Sequence, residues 1–139
     1  MKTSATIAAA AVMGLGICTA AAAQGTGKAE YQAARKTIES DYRTARIGCE
    51  PMLANVRTIC MADVHGREVV ALAELRAAYD PTAEALMEVR IVKARAGLAV
   101  ARARCEDVQA HRKAACTADA VAAHSAALAP PATPKAGSK

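Results

Sequence analysis

Four of the five cysteines are the residues of this chain whose type and spacing could do chemistry. They form two pairs, Cys49 with Cys60 and Cys105 with Cys116, and ten residues separate the members of each pair. An even number of cysteines in an exported protein indicates disulfides. A gap of ten residues suits a bridge across the mouth of a helix-turn-helix hairpin. The spacing therefore predicts the disulfides Cys49–Cys60 and Cys105–Cys116.

A second geometry is open to the same cysteines. Eleven residues make about three turns of helix, so both cysteines of a pair could lie on one face of an unbroken helix. Bridges would then join one pair to the other, as in the twin-cysteine helical hairpins of the mitochondrial intermembrane space. Pro51 disfavours an unbroken helix through the first pair, but the second pair encloses neither Pro nor Gly. The sequence favours bridges within each pair and leaves this second geometry open.

Metal binding is the alternative chemistry for these cysteines. Thiolate and imidazole ligands suit copper and zinc, and the chain has three histidines, His65, His111 and His124. Zinc ligands that form a pair usually lie about two to four residues apart, which a gap of ten does not match. We expect the histidines to lie on solvent-facing helix surfaces, although His111 lies inside the second cysteine loop. We predict no metal site and no cofactor.

The other polar residues form no catalytic arrangement. No serine of the chain lies in a G-x-S-x-G setting. On helices rich in Lys and Arg, acidic residues are most simply exposed partners in ion pairs between positions i and i+4. The acidic residues interpreted in this way are Glu30, Glu39, Asp41, Glu84 and Glu88. We predict that the protein is not an enzyme.

Helices are the elements that must position these residues. Apolar residues recur at spacings of three and four, which is typical of one face of a helix. Such stripes run from Tyr31 to Cys49, from Val56 to Tyr79 and from Leu86 to Ala103, and a shorter segment covers about 112–128. Because no segment alternates with a period of two, we predict no β-sheet.

The two cysteine pairs belong to two copies of one sequence unit. Residues 45–63 and 101–119 align at an offset of 56 with eight identities, in the pattern A-R-x-x-C-E-x9-C-x-A-D. This level of identity indicates an internal duplication. Between the copies, Asp80 is predicted to cap the third helix and Pro81 to be its first residue.

These patterns predict an all-α fold made of two antiparallel helical hairpins, each stapled by a disulfide. The repeats cover about residues 28–80 and 81–129. Short connections force neighbouring helices to be antiparallel. The sequence does not distinguish an up-down bundle from an elongated arrangement. A core of Ala, Val, Leu and Ile buries little apolar area, so we expect the disulfides to contribute much of the stability.

The first 23 residues have the pattern of a secretory signal peptide. A basic Lys2 precedes an apolar stretch that extends to about Thr19, and a run of small residues ends before Gln24. Cys18 is assigned to the signal peptide, because Ile17 is not the small residue that lipoprotein cleavage requires. We predict a helical domain over 24–129, no membrane span after signal removal, and periplasmic or secreted localisation.

Composition argues against nucleic acid as a partner. After signal removal, 17 Lys and Arg residues stand against 13 Asp and Glu residues, and the charges are interspersed along the chain. With three Tyr and no Phe or Trp, few side chains could stack on bases. The Pro-rich segment 130–139 is predicted to be a disordered tail.

A longer pattern runs through both repeats. It consists of Tyr31-x-x-Ala34, Ile38-Glu39-x-Asp41-Tyr42-x-x-Ala45, Cys49, Cys60 and Ala73-Glu74-Leu75-x-x-x-Tyr79-x-Pro81-Thr82, followed by the second cysteine pair. In this pattern, over most of the mature chain, the sequence resembles a family of small exported betaproteobacterial proteins rich in Ala, Lys and Glu. Some members carry the name of TolA-like cell-envelope biogenesis proteins. The resemblance implies a place in the cell envelope and supplies no functional residues.

The resemblance is weakest at the turns between the paired cysteines. Members of the family commonly have a Gly-Asn turn there, whereas this chain has Leu53-Ala54-Asn55 and Gln109-Ala110-His111. We expect a non-enzymatic exported protein with a structural or interaction role and an envelope protein as its partner. The alternative hypothesis is a periplasmic metal-binding or redox-responsive protein that uses the four mature cysteines.

Overall fold

The structure is a computed structural model that describes residues 27–130. Within these residues the secondary structure is entirely α-helical, as predicted. The helices are α1 (Lys28–Cys49), α2 (Ala54–Tyr79), α3 (Ala83–Cys105) and α4 (Ala110–Leu128). The predicted signal peptide, 1–23, lies outside the described residues, as does the predicted tail apart from Pro130.

The two predicted disulfides, Cys49–Cys60 and Cys105–Cys116, are both present. In each bridge the two Cα atoms lie 5.7 Å apart, a usual separation for a disulfide. The chain leaves helical conformation at residues 50–53 and again at 106–109, between the members of each pair. The helical hairpins are therefore confirmed, and bridges between the pairs, the alternative geometry, are wrong.

The start of α3 differs from the prediction. Thr82, and not Asp80, is the N-cap, since its Oγ1 accepts a hydrogen bond from the backbone N–H of Ala85 at 3.1 Å. Asp80 instead ends α2, where its N–H still donates to the carbonyl of Arg76 at 2.9 Å. Pro81 ends α2, because it disfavours helical conformation in Asp80, and the hydroxyl of Thr82 is the group that satisfies a backbone N–H in the first turn of α3.

The four helices pack as an open row in which each contacts only its neighbours in sequence. Within residues 27–130, α1 packs on α2, α2 on α3 and α3 on α4, and no other pair of helices is in contact. Arg90 of α3 binds the C-terminal end of α4, because its guanidinium donates to the carbonyls of Leu128 and Ala129 at 3.3 and 2.7 Å. Of the two arrangements left open by the sequence, the structure adopts the open one.

The core of this row is narrow and consists of small side chains. Cys49 and Cys105 are almost fully buried, at 0% and 2% exposure, and Val64 is the largest buried aliphatic residue. The remaining buried positions are Gly66, Ala77, Ala85, Ala94, Ala103 and Ala120. At the end remote from the disulfides, the rings of Tyr31 and Tyr79 contact each other in a tilted arrangement, with centroids 4.7 Å apart. Such a core stabilises the fold weakly, which increases the relative contribution of the disulfides.

The first turn contains the one left-handed backbone among the described non-glycine residues. Ala54, at the start of α2, has a φ of 48°. This conformation brings the Cβ close to the following carbonyl oxygen and costs about 1 kcal/mol in alanine, but not in glycine. An alanine in this conformation therefore leaves strain at the junction of the first turn and α2.

We therefore expect Ala54→Gly to stabilise the protein by about 0.5 kcal/mol, after the entropic cost of glycine in the unfolded chain. Ala110, 56 residues later, starts α4 without a positive φ and is the matched control. Ala110→Gly should destabilise the protein by about 0.5–1 kcal/mol, because only its helix propensity changes. Urea unfolding of both variants measures the effects. A loss of stability at both positions would contradict strain at Ala54.

Candidate interaction surface

The four cysteines form no thiol site in this structure. All four are disulfide-bonded, so their sulfurs are not thiolates, the form in which cysteine ligates metals and attacks electrophiles. Cys49 and Cys105 are also buried, at the C-terminal ends of α1 and α3. Their role in the described structure is to close the hairpins.

The three histidines lie far apart along the helices. His65 and His111 are exposed, as expected, and His65 places its Nδ1 3.5 Å from Oε2 of Glu68. His124 differs from the expectation of a solvent-facing side chain, since it lies half-buried in the cleft between α3 and α4. Its Nδ1 is buried and has no hydrogen-bond partner within residues 27–130. No group of three or more His, Cys, Asp or Glu residues in that part of the chain could hold a metal ion.

The acidic residues considered as acid–base candidates make only local interactions. Glu39 pairs with Nε of Arg35 at 3.0 Å, one helical turn away, as predicted. Glu30 accepts a hydrogen bond from the backbone N–H of Gly27 at 3.1 Å and so caps α1. Asp41, Glu84 and Glu88 are exposed and form no ion pair within residues 27–130, so the i,i+4 interpretation is wrong for them.

The candidate site is an open groove of about 540 Å³ along the junction of α2 and α3, here called the α2–α3 groove. Its floor consists of glycine, alanine and valine, and its rim carries charged side chains. The floor residues are Gly66, Val70, Ala71, Ala96, Gly97, Val100 and Ala101, and the rim residues are Asp63, Arg67, Glu74 and Arg104. The groove thus combines an apolar floor with a charged rim.

The close approach of α2 and α3 beneath the groove depends on Gly66. A Cβ atom added to this buried glycine would lie 3.1 Å from the Cβ of Ala96. That distance is well inside the 3.5–4.0 Å at which two carbon atoms pack best. Glycine at position 66 therefore sets the depth of the floor, whereas a Cβ at Gly97 would meet open space.

Charged side chains of both signs lie along the groove. Arg67 Nε lies 3.1 Å from Oδ2 of Asp63, one turn away on α2. Near the opposite end, Lys93 Nζ lies 2.6 Å from Oε1 of Glu74 and joins α3 to α2. Arg104 is exposed near the disulfide end of the groove. The rim can therefore form ion pairs with charged groups at the edges of a ligand, while the floor contacts an apolar surface of that ligand.

Sequence reasoning missed this groove. The signal that could have indicated it is the recurrence of small residues on one face of α3, at Ala96, Gly97 and Ala101. That signal acquires meaning only when the register of α2 against α3 is known, since Gly66 and Ala96 are 30 positions apart. Local periodicity does not determine that register.

Comparison with known proteins adds no relative. The chain matches no protein-family model, no curated protein and no solved structure. In the described part of the chain, no helix combines the length and apolar character that crossing a bilayer requires. The class that the geometry defines is an open row of two disulfide-closed helical hairpins with a groove between them.

Proposed function

We propose that this protein is a non-enzymatic, exported interaction protein of the cell envelope. In this proposal the α2–α3 groove binds one amphipathic helix of an envelope protein partner. The observation that carries it is the open row. Since no helix of residues 27–130 covers α2 and α3 on the side of the groove, a small-residue floor with a charged rim is left uncovered.

The dimensions of the groove suit a helix. Its lining extends from Asp63 to Glu74 on α2, which at 1.5 Å per residue is about 16 Å, or three helical turns. Helices pack with their axes about 8–10 Å apart, and the closer distances need small side chains at the contact. Gly97 and Ala101 provide such a contact. An amphipathic ligand helix would place its apolar stripe on this floor and its charged flanks against the rim.

Export is supported by two features of the chain. Stable disulfides persist in the periplasm and outside the cell, and are rare in the cytosol. The first 23 residues have the pattern of a cleaved signal peptide, and the resemblance to small exported envelope proteins agrees with that location. Mature protein recovered from the periplasm should therefore begin at Gln24 and contain both disulfides.

A leucine placed in the groove tests the proposal. Gly97 is exposed, and a Cβ there meets nothing within 4 Å, so Gly97→Leu should fill the groove without disturbing the fold. Gly48→Leu is the matched control, because Gly48 is also exposed in a helix with open space at Cβ but lies outside the groove. A photo-crosslinking residue at position 100, used in intact cells, would first identify the partner by mass spectrometry.

With the purified partner, we expect Gly97→Leu to weaken binding at least tenfold, the cost of losing about 1.4 kcal/mol of contact. Gly48→Leu should bind as the wild type does. Isothermal titration calorimetry measures both affinities. Undiminished binding by a folded Gly97→Leu variant would contradict the groove as the binding site. An equal loss of affinity in both variants would show that replacing a helical glycine, and not filling the groove, weakens binding.

A further inference from the structure

Large apolar side chains are exposed at both ends of the molecule, and the group with the three highest exposures is at the disulfide end. This group lies between positions 47 and 56, around the first hairpin turn, and we call it the apolar tip. Its members are Ile47, Met52, Leu53 and Val56, with exposures of 63%, 37%, 82% and 60%. Leu53 is the most exposed of the large apolar residues in the described part of the chain. A cluster of this kind on a small protein marks a surface that is covered in function.

Both hairpin turns lie at this end. Because the helices alternate in direction, the turns at 50–53 and 106–109 lie on the same side of the row. Next to the turns, Asn55 at the start of α2 joins the end of α3, since its Nδ2 donates to the carbonyl of Ala103 at 2.7 Å. The apolar tip therefore sits beside the second turn, and the two disulfides hold both turns in place.

Charge is distributed unequally along the helices and is positive at this end. Segments 43–57 and 102–113 together contain six arginines and one lysine against three acidic residues. The rest of the described chain contains eight basic and ten acidic residues. Two of the three acidic side chains at the turn end already have partners, Glu50 with Arg46 and Glu106 with Lys113. Most of the arginines there are exposed and free to bind an anion.

The duplication shows that the hairpin turn itself does not require the apolar tip. At the offset of 56, Leu53 corresponds to Gln109 and Val56 to Arg112. The second hairpin closes with the same disulfide geometry and polar side chains at those two positions. Formation of the turn therefore does not explain why the first turn carries exposed aliphatic residues.

We propose that the turn end of this protein binds the surface of an anionic phospholipid bilayer. The tip residues, Leu53 foremost, insert between the lipid headgroups, while the surrounding arginines bind lipid phosphates. Aliphatic side chains combined with exposed basic residues are the features that hold proteins at an anionic membrane surface. Guanidinium groups pair with phosphate through two parallel hydrogen bonds. This surface shares only Arg104 with the lining of the α2–α3 groove and does not depend on what the groove binds.

A bilayer fits this end better than an acidic protein does. Leu53 and Val56 project outward from a hairpin end, and a fluid headgroup layer deforms around such a projection, whereas a folded partner would need a matching cavity. An acidic protein surface would also be expected to bind through charge alone.

Flotation of the full mature, disulfide-bonded protein with lipid vesicles tests the proposal. The vesicles are phosphatidylcholine alone or phosphatidylcholine mixed with phosphatidylglycerol. We expect binding only to the mixture and release at high salt, because screening weakens the arginine–phosphate attraction. Leu53→Gln, which copies the residue of the second turn, should lower the partition coefficient about tenfold.

Leu86→Gln is the matched control. Leu86 is 56% exposed but lies at the opposite end, in the first turn of α3, so this variant should partition as the wild type does. Absence of binding, equal binding to both vesicles, or equal losses in the two variants would overturn the proposal. Soluble polyglutamate provides the remaining comparison. If it bound as tightly as the vesicles did, and independently of Leu53, the turn end would be a site for acidic proteins instead.

Discussion

Loss of either disulfide is expected to lower the free energy of unfolding by about 3 kcal/mol and the melting temperature by about 15 °C. The bridges Cys49–Cys60 and Cys105–Cys116 each close a loop with a sequence separation of 11. Opening such a loop returns conformational entropy to the unfolded chain. Loss of both bridges should remove about 6 kcal/mol, which is comparable with the whole stability of a domain of this size.

The effect should be large because little else holds the hairpins closed. Buried residues are mostly alanine, and α1 and α4 each pack against a single neighbouring helix. An edge helix with one partner loses most of its fixed contacts when its hairpin opens. The terminal helices α1 and α4 should therefore unfold first after reduction.

Paired Cys→Ala variants and circular dichroism during heating measure this effect. Intact mass without reductant is the control for the starting state, and it should be four hydrogens below the fully reduced mass. Unchanged melting in the variants would contradict a stabilising role for the bridges. A mass with all hydrogens present and a metal bound would instead support the metal-binding alternative for the cysteines.

Substitution of Gly66 by leucine is expected to separate the two hairpins and to destabilise the protein by about 2 kcal/mol. Gly66 is buried against Ala96, and even a single added Cβ would lie 3.1 Å from the Cβ of that alanine. Leucine is a better helix former than glycine, so a loss of stability would come from a disrupted α2–α3 interface and not from a weaker helix. Urea unfolding of the variant provides the measurement.

Two further substitutions make this prediction specific. Gly97→Leu, with open space at its Cβ, should be neutral or stabilising by about 0.5 kcal/mol. Ala96→Gly removes the opposing methyl group, so Gly66→Leu should cost about 1 kcal/mol less in that background. Equal costs in the two backgrounds would show that contact with Ala96 is not the cause.

Local features of the sequence predicted the helices and favoured the pairing of the cysteines that the structure shows. Apolar residues at spacings of three and four mark α1, α2 and α3 because a helix places such residues on one face. The repeated ten-residue gap between cysteines, with Pro51 in the first gap, indicated two closed hairpins, and both bridges form as predicted. These features depend on residues close together in the chain, where periodicity and chain connectivity suffice.

The limits of local reasoning appear where two effects compete for one residue. Asp80 and Thr82 are both good helix caps, and in the structure the Thr82 hydroxyl accepts the hydrogen bond from the N–H of Ala85. His124 was expected to face solvent, yet it lies in the cleft between α3 and α4 with its Nδ1 buried. In each case the deciding contact or restriction is absent from the residue's own pattern.

Tertiary structure alone decided that the helices form an open row and that a groove lies between the hairpins. The groove follows from the close approach of α2 and α3, where Gly66 meets Ala96, and the row follows from α1 and α4 each packing on a single helix. Alanine-rich helices have small side chains on several faces, so many registers bury similar apolar area, and the hydrophobic pattern selects none of them. The close approach at Gly66 fixes one register, and from it come the groove at the junction and the position of the apolar tip beside the second turn.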